Sequence, residues 1–443
     1  MPHQLIRRGT AFAKQFALVI LPKLISGVGT AVISWVSFHH LSTSRFGVLS
    51  LCLSAIMMVD SVLGSAFDLA VVRLATSLAG DDQLGLRMLQ KGGIVLKLAA
   101  TGGVGVLLFA FSRPLLHEFF KGDGSLGLLA LTLGAACMVL LVRSAQLQFQ
   151  LERRFRAYGA IDLAHNAMKL AAVALLARTG YLQPGPVLLI YLISPAVVFL
   201  VWANGAGIKI LTGGTVPFSV LQGTLKQARW FLLTFGTGWL VSKADIWMVA
   251  RFTTVQDAGI YSAAQIFAMA PPLIGIYMSV VLSPRVMPLL RAGKLLAFTR
   301  RLQAALVVTA ALGYLIALFL SPQLALFLPI RYREALPVVM VLLPGALGAF
   351  ISFPLTLTTL MFLRPRFLIA MDCITLPFIV AAFAVFVPRY GLICAAWIST
   401  TAGLARAAIA QVAALAFVGA AHRQYHSSLT IDWPEVPPEV SSI

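Results

Sequence analysis

Long apolar runs follow one another along almost the whole chain, separated by short polar segments. An apolar run of about 20 residues is long enough to cross the roughly 30 Å hydrocarbon core of a bilayer as an α-helix. By this criterion the sequence predicts twelve spans, at 16–38, 46–72, 92–112, 126–148, 158–177, 186–208, 230–250, 258–284, 302–320, 335–362, 367–387 and 392–420. The pattern therefore predicts an all-α polytopic membrane protein with twelve transmembrane helices.

The second of these runs is repeated in the other half of the chain. The stretch Phe46–Arg73 aligns without a gap with Ala258–Arg285, 212 positions further on, and pairs Gly47 with Gly259. A polar segment divides the runs into two sets of six, and since six is even, both halves enter the membrane in the same direction. The sequence thus predicts two six-helix bundles related by a parallel pseudo-two-fold repeat, with an N-terminal lobe over 1–208, a cytoplasmic linker over 209–229, a C-terminal lobe over 230–421 and a disordered cytoplasmic tail over 422–443.

Charge refines this picture. Only 11% of the residues are charged, against about 25% in soluble domains, yet the net charge is +19. The Lys and Arg residues lie in short clusters between apolar runs rather than in one stripe, which argues against nucleic-acid binding. Most of them, counting Lys97, fall in alternate loops, and the positive-inside rule then places both termini in the cytoplasm. The run 16–38 follows Arg7 and Arg8 but has no small-residue cleavage site, so we expect a retained first span rather than a signal peptide.

One predicted span carries a polar stripe. Asp162, His165, Asn166 and Lys169 stand at i, i+3, i+4 and i+7 of the fifth span and therefore share one helix face. A charge at the bilayer centre costs at least about 2.5 kcal/mol, so this face is not expected to point at lipid. It lines a water-filled cavity between the halves, or Asp162 and Lys169 form an ion pair buried between helices, or Asp162 reaches the cytoplasmic interface.

Other charged residues also lie deep in the predicted spans. A cavity lined by cations would hold an anionic group such as a diphosphate, and the candidates for it are Lys23, Arg143, Lys169 and Arg406. Asp60 and Asp245 are candidates for binding a coupling proton or sodium ion, with pairing to a nearby Lys or Arg as the alternative. Lys243 and Asp245 are two positions apart, so we expect them to point to different sides of the seventh helix. Asp68 and Asp372 are left outside the predicted site.

The sequence offers no motif for catalysis, a metal or a cofactor. His39–His40 and His117–Glu118 have no further ligand at metal-binding spacing, and the glycines of 101–105 lie in an apolar run without the strand–turn–helix context of a nucleotide loop. All four cysteines fall in apolar runs, without the spacing of a metal site or a disulfide framework. We therefore expect neither an enzyme nor a bound cofactor.

Three stretches resemble the polysaccharide and O-antigen flippases of the Wzx type. FGVLSLCLSAIMMVDSVLGSAFDLAVVRLA, from Phe46, is similar to their second span, and KADIWMVARFTTVQDAGIYSAAQIF, from Lys243, to their seventh and eighth spans. The segment 364–396, with RPRF and RYGLICAA, is similar to their eleventh and twelfth spans. In this resemblance Asp245 falls on the family's seventh-span Asp, and Asp60 lies near its second-span acidic position.

The resemblance implies a MATE-like, V-shaped pair of lobes around a cationic cavity. It also implies a transporter of the bacterial inner membrane that flips undecaprenyl-diphosphate-linked oligosaccharides from the cytoplasmic to the periplasmic leaflet. Such a protein would serve synthesis of O-antigen, exopolysaccharide or capsule, with a polysaccharide polymerase and glycosyltransferases as partners. Two alternatives stay open: a cation-coupled multidrug exporter on the same fold, and a membrane polysaccharide polymerase or ligase. The second would carry one large periplasmic loop, whereas the predicted outer loops are short.

Overall fold

A computed structural model of the protein describes residues 2–75, 82–152, 154–276, 295–356 and 365–427, together with 278, 282 and 289. Within these residues the chain is almost wholly helical and has no strand. The first half forms α1 (Pro2–His40), α2 (Thr43–Ala75), α3 (Gln83–Ala110), α4 (Ser112–Phe120), α5 (Leu126–Leu151), α6 (Phe155–Thr179), α7 (Pro184–Asn204) and α8 (Ile208–Leu211). The second half forms α9 (Phe218–Phe252), α10 (Val255–Ala268), α11 (Ala270–Ile276), α12 (Leu295–Phe327), α13 (Ala335–Leu355) and α14 (Pro365–Ser427).

Most predicted spans coincide with a long apolar helix. Within the described ranges, nine helices are long and apolar enough to cross a membrane, and the pair α10 and α11, which meet at 49°, would make a tenth. α14 is broken at Gly391, where φ is 69° and ψ is −155°, so its parts 365–390 and 392–427 hold the eleventh and twelfth predicted spans. The seventh predicted span lies in α9, which is outside the nine because Lys243, Asp245 and several hydroxyl groups lower its hydropathy. The all-α polytopic fold is confirmed, and the number of twelve spans stays a prediction.

The predicted linker 209–229 is only partly an irregular segment. α9 already begins at Phe218, so the second part of the linker is helical and continues into the seventh predicted span. The irregular part is held against α3, because the ammonium of Lys91 donates hydrogen bonds to the backbone oxygens of Gly213 and Gly214.

Two predicted features extend beyond the described residues. The last helix continues to Ser427, so residues 422–427 of the predicted tail are helical, and 428–443 lie outside the described residues. Arg285, which closes the second copy of the repeat, also lies outside them.

The internal repeat appears directly in the contact between α2 and α10. A Cβ on Gly47 would overlap the carbonyl oxygen of Val255, and a Cβ on Gly259 would overlap the carbonyl oxygen of Thr43. In the 212-residue alignment Thr43 corresponds to Val255 as Gly47 does to Gly259, so the two contacts are equivalent. Glycine at both positions lets the two helix backbones touch, and this contact joins the lobes.

Buried aromatic rings extend the same junction. The ring of Phe38, at the end of α1, lies 5.3 Å from that of Tyr332 and 6.1 Å from that of Phe46. All three side chains are at most 2% exposed. They belong to the largest hydrophobic core, which continues through both lobes.

Candidate functional site

Four charged side chains form a compact cluster inside the N-terminal lobe, where Lys97 is buried, Asp68 is mostly buried, and Asp60 and Arg143 are 32% and 30% exposed. The guanidinium of Arg143 donates to Asp60 at 3.0 Å and to Asp68 at 2.5 Å, and the ammonium of Lys97 donates to Asp68 at 2.5 Å. Lys97 also donates to the hydroxyl of Ser144 at 3.0 Å. Two carboxylates therefore meet two cations, and this balance is what a low-dielectric interior requires of buried charge. We call these four residues the acid–base cluster.

α2 changes its helical geometry where it contributes to the acid–base cluster. The segment from Asp60 to Gly64 is a π-helical turn, a wider turn that is frequent at functional sites. Asp68 follows two turns later on the same helix, and both carboxylates reach Arg143, which α5 contributes. The cluster thus ties α2, α3 and α5 together.

The C-terminal lobe buries one carboxylate in a different way. Asp245 of α9 is 9% exposed, and its Oδ2 accepts hydrogen bonds from the phenol of Tyr261 at 2.8 Å, the amide of Gln265 at 2.7 Å and the hydroxyl of Ser399 at 3.4 Å. Its Oδ1 accepts from the backbone N–H of Ile246 at 2.9 Å. All four donors are neutral. Hydrogen bonds of this kind favour the charged form of the carboxylate without cancelling its charge.

Lys243 reaches the same helical hairpin as Asp245. Its ammonium lies 3.8 Å from the sulfur of Met269, which follows α10, while Asp245 contacts Gln265 on α10 itself. The sequence predicted different sides for these two residues, because positions two apart on a helix point about 200° apart. Lys243 nevertheless contacts the same hairpin as Asp245, because the long side chain of lysine lets its ammonium reach around the helix.

Arg406 forms a two-pronged ion pair with Asp372. The Nε of Arg406 lies 2.8 Å from Oδ1 of Asp372, and its Nη2 lies 3.1 Å from Oδ2. Asp372 is 1% exposed, and a third contact runs from Arg406 to the hydroxyl of Ser242 at 3.3 Å. Like Arg143, this predicted cavity cation is therefore balanced by a carboxylate.

The polar stripe of α6 packs against α1. Asp162 lies 3.5 Å from the Nε2 of His165 and accepts from the amide of Gln146 at 3.4 Å. The amide of Asn166 turns back to the carbonyl oxygen of Asp162 at 2.9 Å. The Nδ1 of His165 is buried and has no hydrogen-bond partner among the described residues.

Lys169 completes the stripe and, unlike Lys97, Arg143 and Arg406, forms no ion pair with a carboxylate in the described residues. It is 7% exposed, and its ammonium lies 4.8 Å from the centroid of the Tyr191 ring. Within the described ranges it makes no hydrogen bond or ion pair, although it feels the charges of Asp162 and Asp60. Of the arrangements that the sequence left open, the Asp162–Lys169 ion pair is absent from the described residues. Lys23, from α1, stacks its ammonium 5.5 Å above the ring of Tyr158 on the same helix as Lys169.

A pair of equivalent contacts closes one face of the molecule between the lobes. Arg331 of the C-terminal lobe donates to the carbonyl oxygen of His39 at the end of α1, and Lys121 of the N-terminal lobe donates to that of Arg251 at the end of α9, at 3.1 Å. His39 and Arg251 are equivalent in the repeat. Each cation sits at the negative end of a helix dipole of the other lobe. An ion pair of 2.6 Å between Arg251 and Glu118 adds to the closure. We call these contacts the latch, and the side on which they lie the latch face.

Sequence reasoning missed several of these groups. Lys97 was counted with the inner loops, but it is 1% exposed in α3. Asp68 and Asp372 were left outside the site, and each forms an ion pair with a cation. The neutral donors Tyr261 and Gln265 carry no charge inside a span and so gave no signal of this kind.

The helical architecture matches solved transporters throughout its length. A structure of the lipid II flippase MurJ in an inward closed conformation superposes with a TM-score of 0.70, at 14% identity, over 91% of this chain and 87% of that chain. An inward-facing multidrug resistance MATE family transporter of the MOP superfamily gives 0.68, at 12% identity, over 92% and 99%. An outward-facing conformation of such a transporter gives 0.57, at 13% identity, over 93% and 96%.

These similarities establish the fold class. The chain has the MATE-like fold, with two helical bundles. No protein-family profile matches the sequence, and no curated protein sequence matches it.

Proposed function

We propose that the protein flips undecaprenyl-diphosphate-linked oligosaccharides from the cytoplasmic to the periplasmic leaflet of a bacterial inner membrane by alternating access. The fold, shared with a lipid II flippase and with multidrug transporters, supports membrane transport of this kind. The sequence resemblance to O-antigen and polysaccharide flippases supports the particular cargo. The product would enter synthesis of O-antigen, exopolysaccharide or capsule, with a polymerase and glycosyltransferases acting on the same glycan.

The observation that carries the proposal is the state of Lys169. Arg143 and Arg406 each donate to a carboxylate at 3.1 Å or less, whereas Lys169 is buried without such a partner in the described part of the chain. A buried ammonium without a close counter-ion is costly, so it marks a place where an anion from elsewhere would bind. With Lys23 on the facing helix α1, it forms the part of the predicted cationic cavity in which a diphosphate would bind.

The pairing of the charged residues inside the spans also favours a flippase over a drug exporter. A cationic drug needs an acidic residue that is not already committed, but Asp60, Asp68 and Asp372 each pair with a cation, and Asp162 lies 3.5 Å from His165. Asp245 is the carboxylate surrounded by neutral donors, and it is a candidate for a small coupling cation. An anionic cargo fits this distribution better.

The proposed orientation gives the closed latch face a function. With both termini in the cytoplasm, the latch face is periplasmic, and the structure corresponds to the state that loads cargo from the inside. Outward movement of a dianion is favoured by the inside-negative potential, by about 2.3 kcal/mol per charge per 100 mV. The diphosphate would then leave when the latch opens.

Reconstitution tests the proposal directly. Proteoliposomes loaded with an undecaprenyl-diphosphate oligosaccharide are treated with an external sugar-modifying enzyme, and the rate of glycan exposure is measured. We expect the native protein to expose the glycan and Lys169→Ala to slow exposure by about 10- to 100-fold, since a hydrogen bond to a charged group contributes about 1.5 to 3 kcal/mol. Lys169→Arg should restore part of the rate.

Lys226→Ala, which removes an exposed lysine from α9, is the matched control and should transport like the native protein. If the native protein exposes no glycan but polymerises or ligates it, the enzyme alternative replaces our proposal. If Lys169→Ala transports at the native rate, the cationic site lies elsewhere.

A further inference from the structure

A polar cavity lies away from Lys169, at the other end of α6. It has a volume of about 390 Å³, within the range of roughly 300 to 1,000 Å³ for small-molecule sites. Four helix ends surround it, where α3 and α6 begin and where α5 and α7 finish. Arg154, at its wall, precedes Lys169 by 15 residues, which corresponds to about 22 Å along a helix. The cavity is therefore separate from the proposed cargo site.

Three basic side chains from different segments converge on this cavity. Arg87 comes from α3, Arg154 from the start of α6 and Lys209 from α8. Glu152 is the acidic residue in the lining, and it is already engaged by Gln148 at 2.6 Å and by Arg154 at 3.5 Å. Its charge offsets one cation, so the lining keeps an excess of positive charge.

Two of these cations are available for a ligand. Arg87 and Lys209 are exposed, and neither makes a hydrogen bond or ion pair within the described ranges. Exposure alone would describe an ordinary solvated surface, but these side chains stand at the mouth of a walled cavity. Arginine and lysine are the side chains that most often bind phosphate groups.

A neutral polar side chain in the cavity wall, that of Gln90, is also available for a ligand. Gln90 of α3 is 6% exposed, and its amide makes no hydrogen bond with any described residue. Because Gln90 lines the cavity, its amide is available to donate to a molecule that enters it. The neighbouring Gln148 is equally buried but accepts from the indole of Trp202 at 2.7 Å, so its orientation is fixed.

We propose that this cavity binds a phosphate-bearing anion, with Arg87 and Lys209 contacting the phosphate and Gln90 donating from the wall. Basic pockets between helix ends at the membrane surface bind the headgroups of anionic lipids. A soluble phosphate ester offers the same chemistry. The experiment therefore has one arm for each source.

The lipid arm measures anionic lipid retained by the purified full-length protein. The protein is transferred from phosphatidylglycerol and cardiolipin vesicles into detergent, and native mass spectrometry counts the bound lipid. We expect Arg87→Gln/Lys209→Gln to retain about tenfold less anionic lipid than the native chain. The control, Lys226→Gln/Arg300→Gln, removes the same charge from exposed positions and should retain the native amount.

The soluble arm measures the thermal shift that inorganic phosphate or pyrophosphate produces on delipidated protein, against chloride at equal ionic strength. Gln90→Leu separates the site from general charge effects, because it leaves the net charge unchanged and should weaken the same readout severalfold. Loss of lipid retention in the double variant assigns the site to lipid headgroups, and loss of the phosphate shift alone assigns it to a soluble anion. If the double variant behaves like the control in both arms, the proposal is overturned.

Discussion

In the N-terminal lobe the carboxylates of Asp60 and Asp68 form ion pairs with two cations, whereas in the C-terminal lobe the buried carboxylate of Asp245 accepts from a phenol, an amide and a hydroxyl. The first arrangement is electrically complete, so neither a proton nor an ion improves it. In the second the carboxylate is held by neutral donors, and Lys243 interacts with its charge without forming an ion pair in the described residues. The two lobes have the same fold and their sequences align, yet the charged residues inside them have different roles.

This difference separates structural charge from exchangeable charge. Removing one member of a buried ion pair leaves an uncompensated charge, while replacing a carboxylate held by neutral donors leaves a group that still accepts hydrogen bonds. The acid–base cluster should therefore matter mainly for stability. Asp245 should matter mainly for function.

The largest expected effect is that of Arg143→Leu. The change strands Asp60 and leaves Asp68 with Lys97 alone, so we expect a loss of about 3 to 5 kcal/mol in the free energy of unfolding. Titration of the detergent-solubilised protein into SDS measures this quantity. Arg178→Leu, an exposed arginine at the end of α6, is the control and should change it by less than about 0.5 kcal/mol.

A second variant shows whether charge balance is the cause. Arg143→Leu/Asp60→Asn restores one carboxylate against one cation, and it should recover at least half of the lost stability. If the double variant is less stable than the single one, packing rather than charge balance stabilises the acid–base cluster. The proposed difference between the two lobes would then be wrong for the N-terminal lobe.

Asp245→Asn should give a smaller change in stability. With the remaining carbonyl oxygen in the place of Oδ2, it still accepts from Tyr261, Gln265 and Ser399, whereas the new amide group meets the backbone N–H of Ile246, and we expect a cost of about 1 to 2 kcal/mol. Under the proposed function, the transport rate in proteoliposomes should lose its dependence on a proton or sodium gradient. Both quantities are measured on the same preparation.

Asp68→Asn is the matched comparison, since it makes the same chemical change in the other lobe. It should destabilise the protein more than Asp245→Asn does, because it leaves Lys97 without its close carboxylate. Equal losses of stability in the two variants would show that both sites are structural. Retained gradient dependence in Asp245→Asn would remove this residue from ion coupling.

The sequence predicted the helices and several of the charged residues on which this comparison rests. Periodic apolar runs placed the helices, because hydrocarbon thickness sets their length. The gap-free repeat singled out Gly47 and Gly259, and the structure places both at one helix contact. Asp60, Arg143 and Asp245 were recognised as unusual because charges inside spans are costly.

The partners of these charges could not be predicted in the same way. Arg143 reaches Asp60 and Asp68 across 83 and 75 positions of sequence, and only the packing of three helices determines that contact. Lys97 was missed because it lies near the end of a predicted span, where the positive-inside rule assigns lysines to the neighbouring loop. The donors around Asp245 are neutral, and neutral residues inside a span cost too little to attract attention.

The smallest expected effect concerns the latch, where both lobes use the same kind of contact. Lys121→Gln and Arg331→Gln each remove a cation from the end of a helix in the other lobe, which contributes about 0.3 to 1 kcal/mol. Each variant should therefore shift the balance between closed and open latch face by up to about fivefold. Spin labels at Arg113→Cys and Gln256→Cys, both exposed, report the distance across this face in a background without the four native cysteines.

The two latch variants should behave alike, because the repeat makes their target helix ends, at His39 and Arg251, equivalent. Arg331 also packs beside Tyr332, with 5.8 Å from its guanidinium carbon to the ring centroid, so a larger effect of Arg331→Gln would show that packing adds to the dipole contact. Arg389→Gln, an exposed arginine outside the latch, should leave the distance distribution unchanged. If neither latch variant changes the distribution, the face is held closed by the glycine contact and the aromatic core alone, and the repeated cations are incidental to the conformational change.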